Sequence, residues 1–197
     1  MKKDNFISQN YSLCWKFIKE SRKFIYIIIA IFFVFAFIGF FVPVPDYISS
    51  EIMKLLEELI KKTEGMSTFE LIRFIFSNNL LNSFIAMTLG IFVGVFPVLF
   101  AIFNGYVLGF VAFLAVNAEG PATLLRLFPH GIFELPAVFI ALGLGLRTGL
   151  FFINSSSKKI KNFKYYLYEI IRVLFFVIIP LLIIAAIIEG SLINLAQ

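Results

Sequence analysis

The sequence predicts an all-α, polytopic transmembrane helical bundle of about five spans, with a short interfacial amphipathic helix beside it. Three observations predict it. Hydrophobic residues fill 60% of the 197 positions and charged residues 15%, where a soluble domain averages roughly 45–50% apolar and about 25% charged. The charges are clustered, leaving long stretches nearly free of them, and roughly 20 apolar helical residues cross a hydrocarbon layer ~30 Å thick. Small residues recur at every fourth position in those stretches, the spacing that lets backbones approach closely in lipid. The length suits a single membrane domain, residues 1–197, without an added soluble domain.

The first span is expected at 24–42, closed by Pro43 and Pro45, which lack the N–H that helix propagation needs. Mostly polar residues precede it and no small-x-small pattern follows, so it reads as a retained span rather than a cleaved signal. An amphipathic helix follows at 50–62. Ile52, Leu55, Leu56, Leu59 and Ile60 share one face, opposite Glu51, Lys54, Glu57, Glu58, Lys61 and Lys62. So many charges prevent crossing, and the helix is expected at the interface or docked on a partner. Gly65 ends it. Ser67-Thr-Phe-Glu70 forms a capping box that starts a new helix.

The apolar stretch from Leu80 to Asn117 is too long for one crossing. A turn at Asn104-Gly105 would leave a second piece of only ~20 Å, whereas a turn around Gly94 to Pro97 gives two sufficient spans, 78–96 and 98–117. After the polar Asn117–Pro121 linker and a short amphipathic piece at 124–128, a fourth span is expected at 131–153. A basic connection at 154–169 leads to the fifth span, 171–188, with a kink expected at Pro180. Lys2, Lys3, Lys16, Lys19, Arg22 and Lys23 precede the first span, and Lys158, Lys159, Lys161 and Lys164 precede the fifth. Five crossings put both groups on one side. The expectation is a multi-pass protein of the cell membrane with its N-terminus cytoplasmic and its C-terminus outside.

Two constellations carry what chemistry there is. The first is the set of small-residue rows: Asn82, Ala86, Gly90 and Gly94; Ala101, Gly105 and Gly109; Ala137, Ala141, Gly145 and Gly149. They read as helix packing, with a narrow backbone-lined path as the alternative. The second is polar: His130 and Glu134, one turn apart on one face, with Glu189 expected at similar depth and Asn82 near that level. Glu134 in a first helical turn is electrostatically favoured there, so bracing the bundle competes with proton or ligand handling. Asn104 is expected to make an interhelical hydrogen bond, and Arg147 to snorkel to headgroups.

The exclusions are equally informative. The net charge of +5 flanks apolar segments, which points to lipid rather than nucleic acid. One cysteine, Cys14, excludes an intramolecular disulfide and a Cys-rich zinc site, and one histidine excludes the paired-histidine zinc motif. No Gly-x-Ser-x-Gly or Walker-type loop occurs. No catalytic residue, metal or cofactor is expected.

Asn104-Gly-Tyr-Val-Leu-Gly109, Pro129-His-Gly-Ile-Phe-Glu-Leu-Pro136 with the small-residue run to Gly149, and Pro180-Leu-Leu-Ile-Ile-Ala-Ala-Ile-Ile-Glu-Gly190 resemble the stage II sporulation protein M family. The resemblance implies a multi-span membrane protein whose namesake anchors cell-wall hydrolases during engulfment in spore formers. It therefore implies a non-enzymatic scaffold or assembly factor, with an envelope or membrane protein as partner and self-association as a further property. A small-solute or ion transporter using His130, Glu134 and Glu189 is the competing expectation, and an intramembrane hydrolase ranks last.

Overall fold

The chain is described by a computed structural model covering the backbone of residues 6–42, 45–90, 94–153 and 159–196, and their side chains apart from those of 126–130, 152–153, 159–163 and 194–196. The described elements are helical. In chain order they are α1 (Phe6–Phe41), α2 (Asp46–Thr63), α3 (Thr68–Leu89), α4 (Val95–Glu119), a 3-10 segment (Pro121–Leu127), α5 (Phe128–Ile153), α6 (Lys159–Val173), a π-helical segment (Leu174–Ile178) and α7 (Ile179–Ala196).

Among the described residues, four stretches are long and apolar enough to cross a membrane: Phe6–Phe41, Val95–Glu119, Gly131–Phe151 and Lys164–Ile193. The expected second span lies largely in α3, whose three asparagines and Arg73 dilute its apolarity. Even so, α3 traverses the bundle. It is 22 residues long, or ~33 Å. Its early residue Ile72 meets Gly190 of α7, while Gly90 at its far end meets Gly145 of α5. Gly105 and Gly109 of α4 meet Phe32 and Ala36 of α1 in the same order, so α1 and α4 pack side by side and run parallel, with α3 the returning helix between them in chain order only.

Local chemistry sets the boundaries. Ser67 caps α3 by accepting from the Glu70 N–H, while Glu70 accepts from the Ser67 N–H at 2.8 Å, completing the capping box. The turn between α3 and α4 falls at Gly94, which has φ 70 and caps α4 in the left-handed region. A β-carbon there is strained, which is why glycine holds this position. Residues 91–93 of the expected 78–96 span lie outside the described residues.

α5 lies between two helix pairs, α1 with α4 and α3 with α7. Its small-residue row makes this geometry. Ala137 and Ala141 are fully buried, and a β-carbon added at Gly145 would lie 2.6 Å from the Ala86 carbonyl oxygen. One added at Gly149 would fall on the backbone of Gly90 and Gly94. Backbone therefore meets backbone, the arrangement by which helices associate where lipid supplies no hydrophobic driving force.

Two elements differ from the sequence reading. α1 begins at Phe6 rather than near residue 24, because Asn10, Cys14, Phe17, Ile18, Ser21 and Ile25 bury one helical stripe that runs on into the span. The expected basic connection at 154–169 is largely α6, which with the π segment after it packs on that extension: Phe17 stacks edge-on against Tyr165 and Tyr166 of α6, and Phe6 and Tyr11 against Phe176 of the π segment. These pairs run in opposite chain order. Residues 154–158 lie outside the described residues. At Pro180 the helix does not simply break. The preceding π segment, in which the Ile179 N–H donates to the Leu174 carbonyl five residues back, provides the wider turn that accommodates the missing proline N–H.

Candidate functional site

The polar residues of the bundle separate to opposite ends of α5. At one end, Glu134 of α5 and Glu189 of α7 line a cleft of about 230 Å³. Asn78 and Asn79 of α3 and Leu59, Ile60 and Thr63 of α2 also line it. The capping box brings this about: it starts α3 directly after α2, so the last turn of α2 and the third turn of α3 face the same space. Two carboxyl groups, two carboxamides and a hydroxyl can hold a cation, a proton or water. The two carboxylates of this lining repel one another when both are charged.

Asn82, expected at this level, instead lies exposed one turn further along α3. Asn78 and Asn79 take its place. The side chain of His130 lies outside the described residues, although its backbone is in the first turn of α5. Asn104 is exposed on α4, and its amide donates to the Phe100 carbonyl of its own helix at 2.8 Å, so it makes a local bond rather than the expected interhelical one. Of the small residues, Gly90, Gly94, Gly105, Gly109, Ala141, Gly145 and Gly149 all lie at buried positions.

Arg147 lies at the other end, ~20 Å along α5 from Glu134. It does not snorkel. Its guanidinium is folded inward, donating to Ser21 Oγ at 2.5 Å, the Tyr166 hydroxyl at 3.3 Å and the Phe17 carbonyl at 3.4 Å. It pairs with Glu20 at 3.4 Å. The planar cation also lies over the rings of Phe17 and Tyr166, 4.6 and 4.9 Å from their centroids. Hydrogen bonds, charge and two ring faces hold it more firmly than exposure to headgroups would.

A second charged pair near this end went unread in the sequence. Glu169 and Arg172 of α6 are 2.5 Å apart and nearly buried, with Arg172 also over the Tyr168 ring. Glu169 Oε2 and Arg172 Nε have no hydrogen-bond partner among the described residues. Opposite charges three residues apart on the amphipathic pattern of 159–173 were the available signal. Arg147 offered none, since Phe17, Glu20 and Ser21 are more than a hundred residues away in the chain and Tyr166 belongs to another helix.

No curated protein and no solved structure matches the chain. The family model described as stage II sporulation protein M matches residues 28–192, from the apolar half of α1 into the last turns of α7, and so takes in Glu134, Glu189 and Arg147. On that match, this multi-pass helical membrane protein belongs to the stage II sporulation protein M family.

Proposed function

We propose that this chain is a non-enzymatic membrane scaffold or assembly factor that uses α2 to hold an envelope or membrane protein partner. The observation that carries the reading is the state of α2. It is amphipathic, yet only Ile52 is buried in the bundle, while Met53, Leu55, Leu59 and Ile60 remain exposed beside the charged face. An apolar helix face outside the bundle is a surface for docking. The interior of the bundle, by contrast, is closed toward Arg147 by glycine-to-backbone contact. By the distribution of basic residues, the Arg147 end faces the cytoplasm and α2 lies outside. Self-association through the exposed helix faces belongs to the same reading.

A photo-crosslinker placed at Leu59 in cells tests it. The expected result is a discrete adduct with one protein, lost when Leu55→Ser and Ile60→Ser are combined. Adducts with lipid alone would make α2 a membrane-surface helix and remove the scaffold reading.

The transporter reading is supported by the cleft between Glu134 and Glu189. It requires that Glu134→Gln abolish flux in reconstituted vesicles without altering the elution of the purified protein. Wild-type vesicles showing no flux for protons or monovalent cations would eliminate it for those ions.

A further inference from the structure

The extension of α1 before its apolar half has two faces. One is fixed, because Asn10, Cys14, Phe17, Ile18 and Ser21 are buried against the bundle, so the helix cannot roll. The other faces outward and forms an open bay of about 830 Å³ lined by Ser12, Trp15, Lys16, Lys19, Arg22 and Lys23. Its one carboxylate, Glu20, leans toward Arg147. None of the four cations has an ion-pair partner among the described residues. Fixed positive charge without an internal counter-ion recruits an anion from outside.

The position of the bay narrows the choice of anion. It leads directly into the apolar residues that begin at Phe24. Lys16 to Lys23 covers ~10 Å along the helix, the order of thickness of a headgroup layer. Trp15 and Tyr26 are 54% and 65% exposed above and below these cations, and such aromatic residues favour the membrane–water boundary. The bay also precedes residue 28, where the family match begins, so family membership does not account for it.

We propose that this bay is a binding site for anionic phospholipid headgroups. The cations contact the phosphodiester while Trp15 packs beside the glycerol and upper acyl chain. The experiment uses the one tryptophan in the sequence. The full chain in neutral detergent is titrated with short-chain phosphatidylglycerol, and Trp15 emission is followed. The expected result is a saturable change, with binding at least about fivefold tighter than for phosphatidylcholine of the same chain length. Lys16→Gln, Lys19→Gln and Lys23→Gln together should bring the two lipids to equal affinity. Lys61→Gln with Lys62→Gln on α2 should leave the preference intact. Should the triple variant elute as aggregate, Lys16→Gln with Lys19→Gln gives the same comparison with a smaller change. Equal response to the two lipids in the wild type, or retained preference in the folded variants, would overturn the proposal. So would saturation of the signal by inorganic phosphate alone, which would make the bay a free-anion site.

Discussion

The two ends of α5 solve the problem of polar groups within a membrane protein in opposite ways. At the Arg147 end, one cation is surrounded by a hydroxyl, a phenol, a backbone carbonyl, a carboxylate and two ring faces, and the neighbouring Gly145 and Gly149 pack directly on the backbone around Ala86, Gly90 and Gly94. At the Glu134 end, two groups of like charge share an open cleft with two asparagines. The first arrangement is consistent with holding helices in place. The second leaves room for an occupant. A polar residue in a span signals function by default, but the difference teaches that the room left around the group, rather than its mere presence, separates architecture from a site.

The largest effect that would break this comparison comes from the glycines. Gly145→Val should abolish the monodisperse gel-filtration peak in detergent, because backbone and Pro97 occupy the space around Gly145, which puts the cost at or above the upper end of the ~1–3 kcal/mol typical of overpacking. Gly131→Ala at the opposite end meets only the Leu135 side chain at 3.7 Å and should leave the peak unchanged. Equal tolerance at both positions would erase the contrast.

Next is the arginine. Arg147→Met should lower stability by about 2–3 kcal/mol in a thermal unfolding series, less than a fully buried pair because Glu20 is 40% exposed. Arg147→Lys should recover less than half, since an ammonium lacks the planar fork that reaches Ser21 and Tyr166 together. Full rescue by lysine would mean that charge alone matters at this end.

A smaller change is expected at the cap that positions α3 against the cleft. Ser67→Ala should cost about 1 kcal/mol. The Ser67 side chain and then its backbone N–H donate to the Glu70 carboxylate and hold it below the usual range. With the folded value depressed, this contribution is present above the unfolded pKa and is lost as pH falls through the folded one. Melting curves of wild type and variant should therefore converge on acidification. A gap that widens instead would contradict this sign.

Smallest of all is Glu134→Gln, which removes one of two like charges and should change stability by no more than about 0.5 kcal/mol in either direction. A large loss would assign the carboxylates a bracing role and make the two ends alike.

What could be read in advance was whatever local pattern encodes. Ser67 and Glu70 announced a helix start through their spacing, and Gly94 with Pro97 announced the turn between α3 and α4. The meeting of Glu134 with Glu189 followed from counting crossings. The extension of α1 was hidden by composition: residues 6–23 are polar enough to suggest a tail, while Cys14, Phe17, Ile18 and Ser21 keep helical phase. The surroundings of Arg147 were not encoded locally, because the aromatic and hydroxyl partners come from α1 and α6. Asn82 was misplaced by one turn, since the level of a residue in the bundle depends on how far α2 and the cap push α3 along its axis.

The π segment before α7 has a consequence for direction. Ile170, Leu174, Ile178, Leu182 and Ala186 are buried at every fourth position through it. In an uninterrupted α-helix such a row would creep about 40° around the axis with each step, ending on the far side. The widened turn cancels part of that creep, so one rod can present Glu169 to α1 and Glu189 to α5. Excising a single residue from this turn would rotate everything beyond it by about 100° and swing the carboxylate of Glu189 out of the crevice into hydrocarbon.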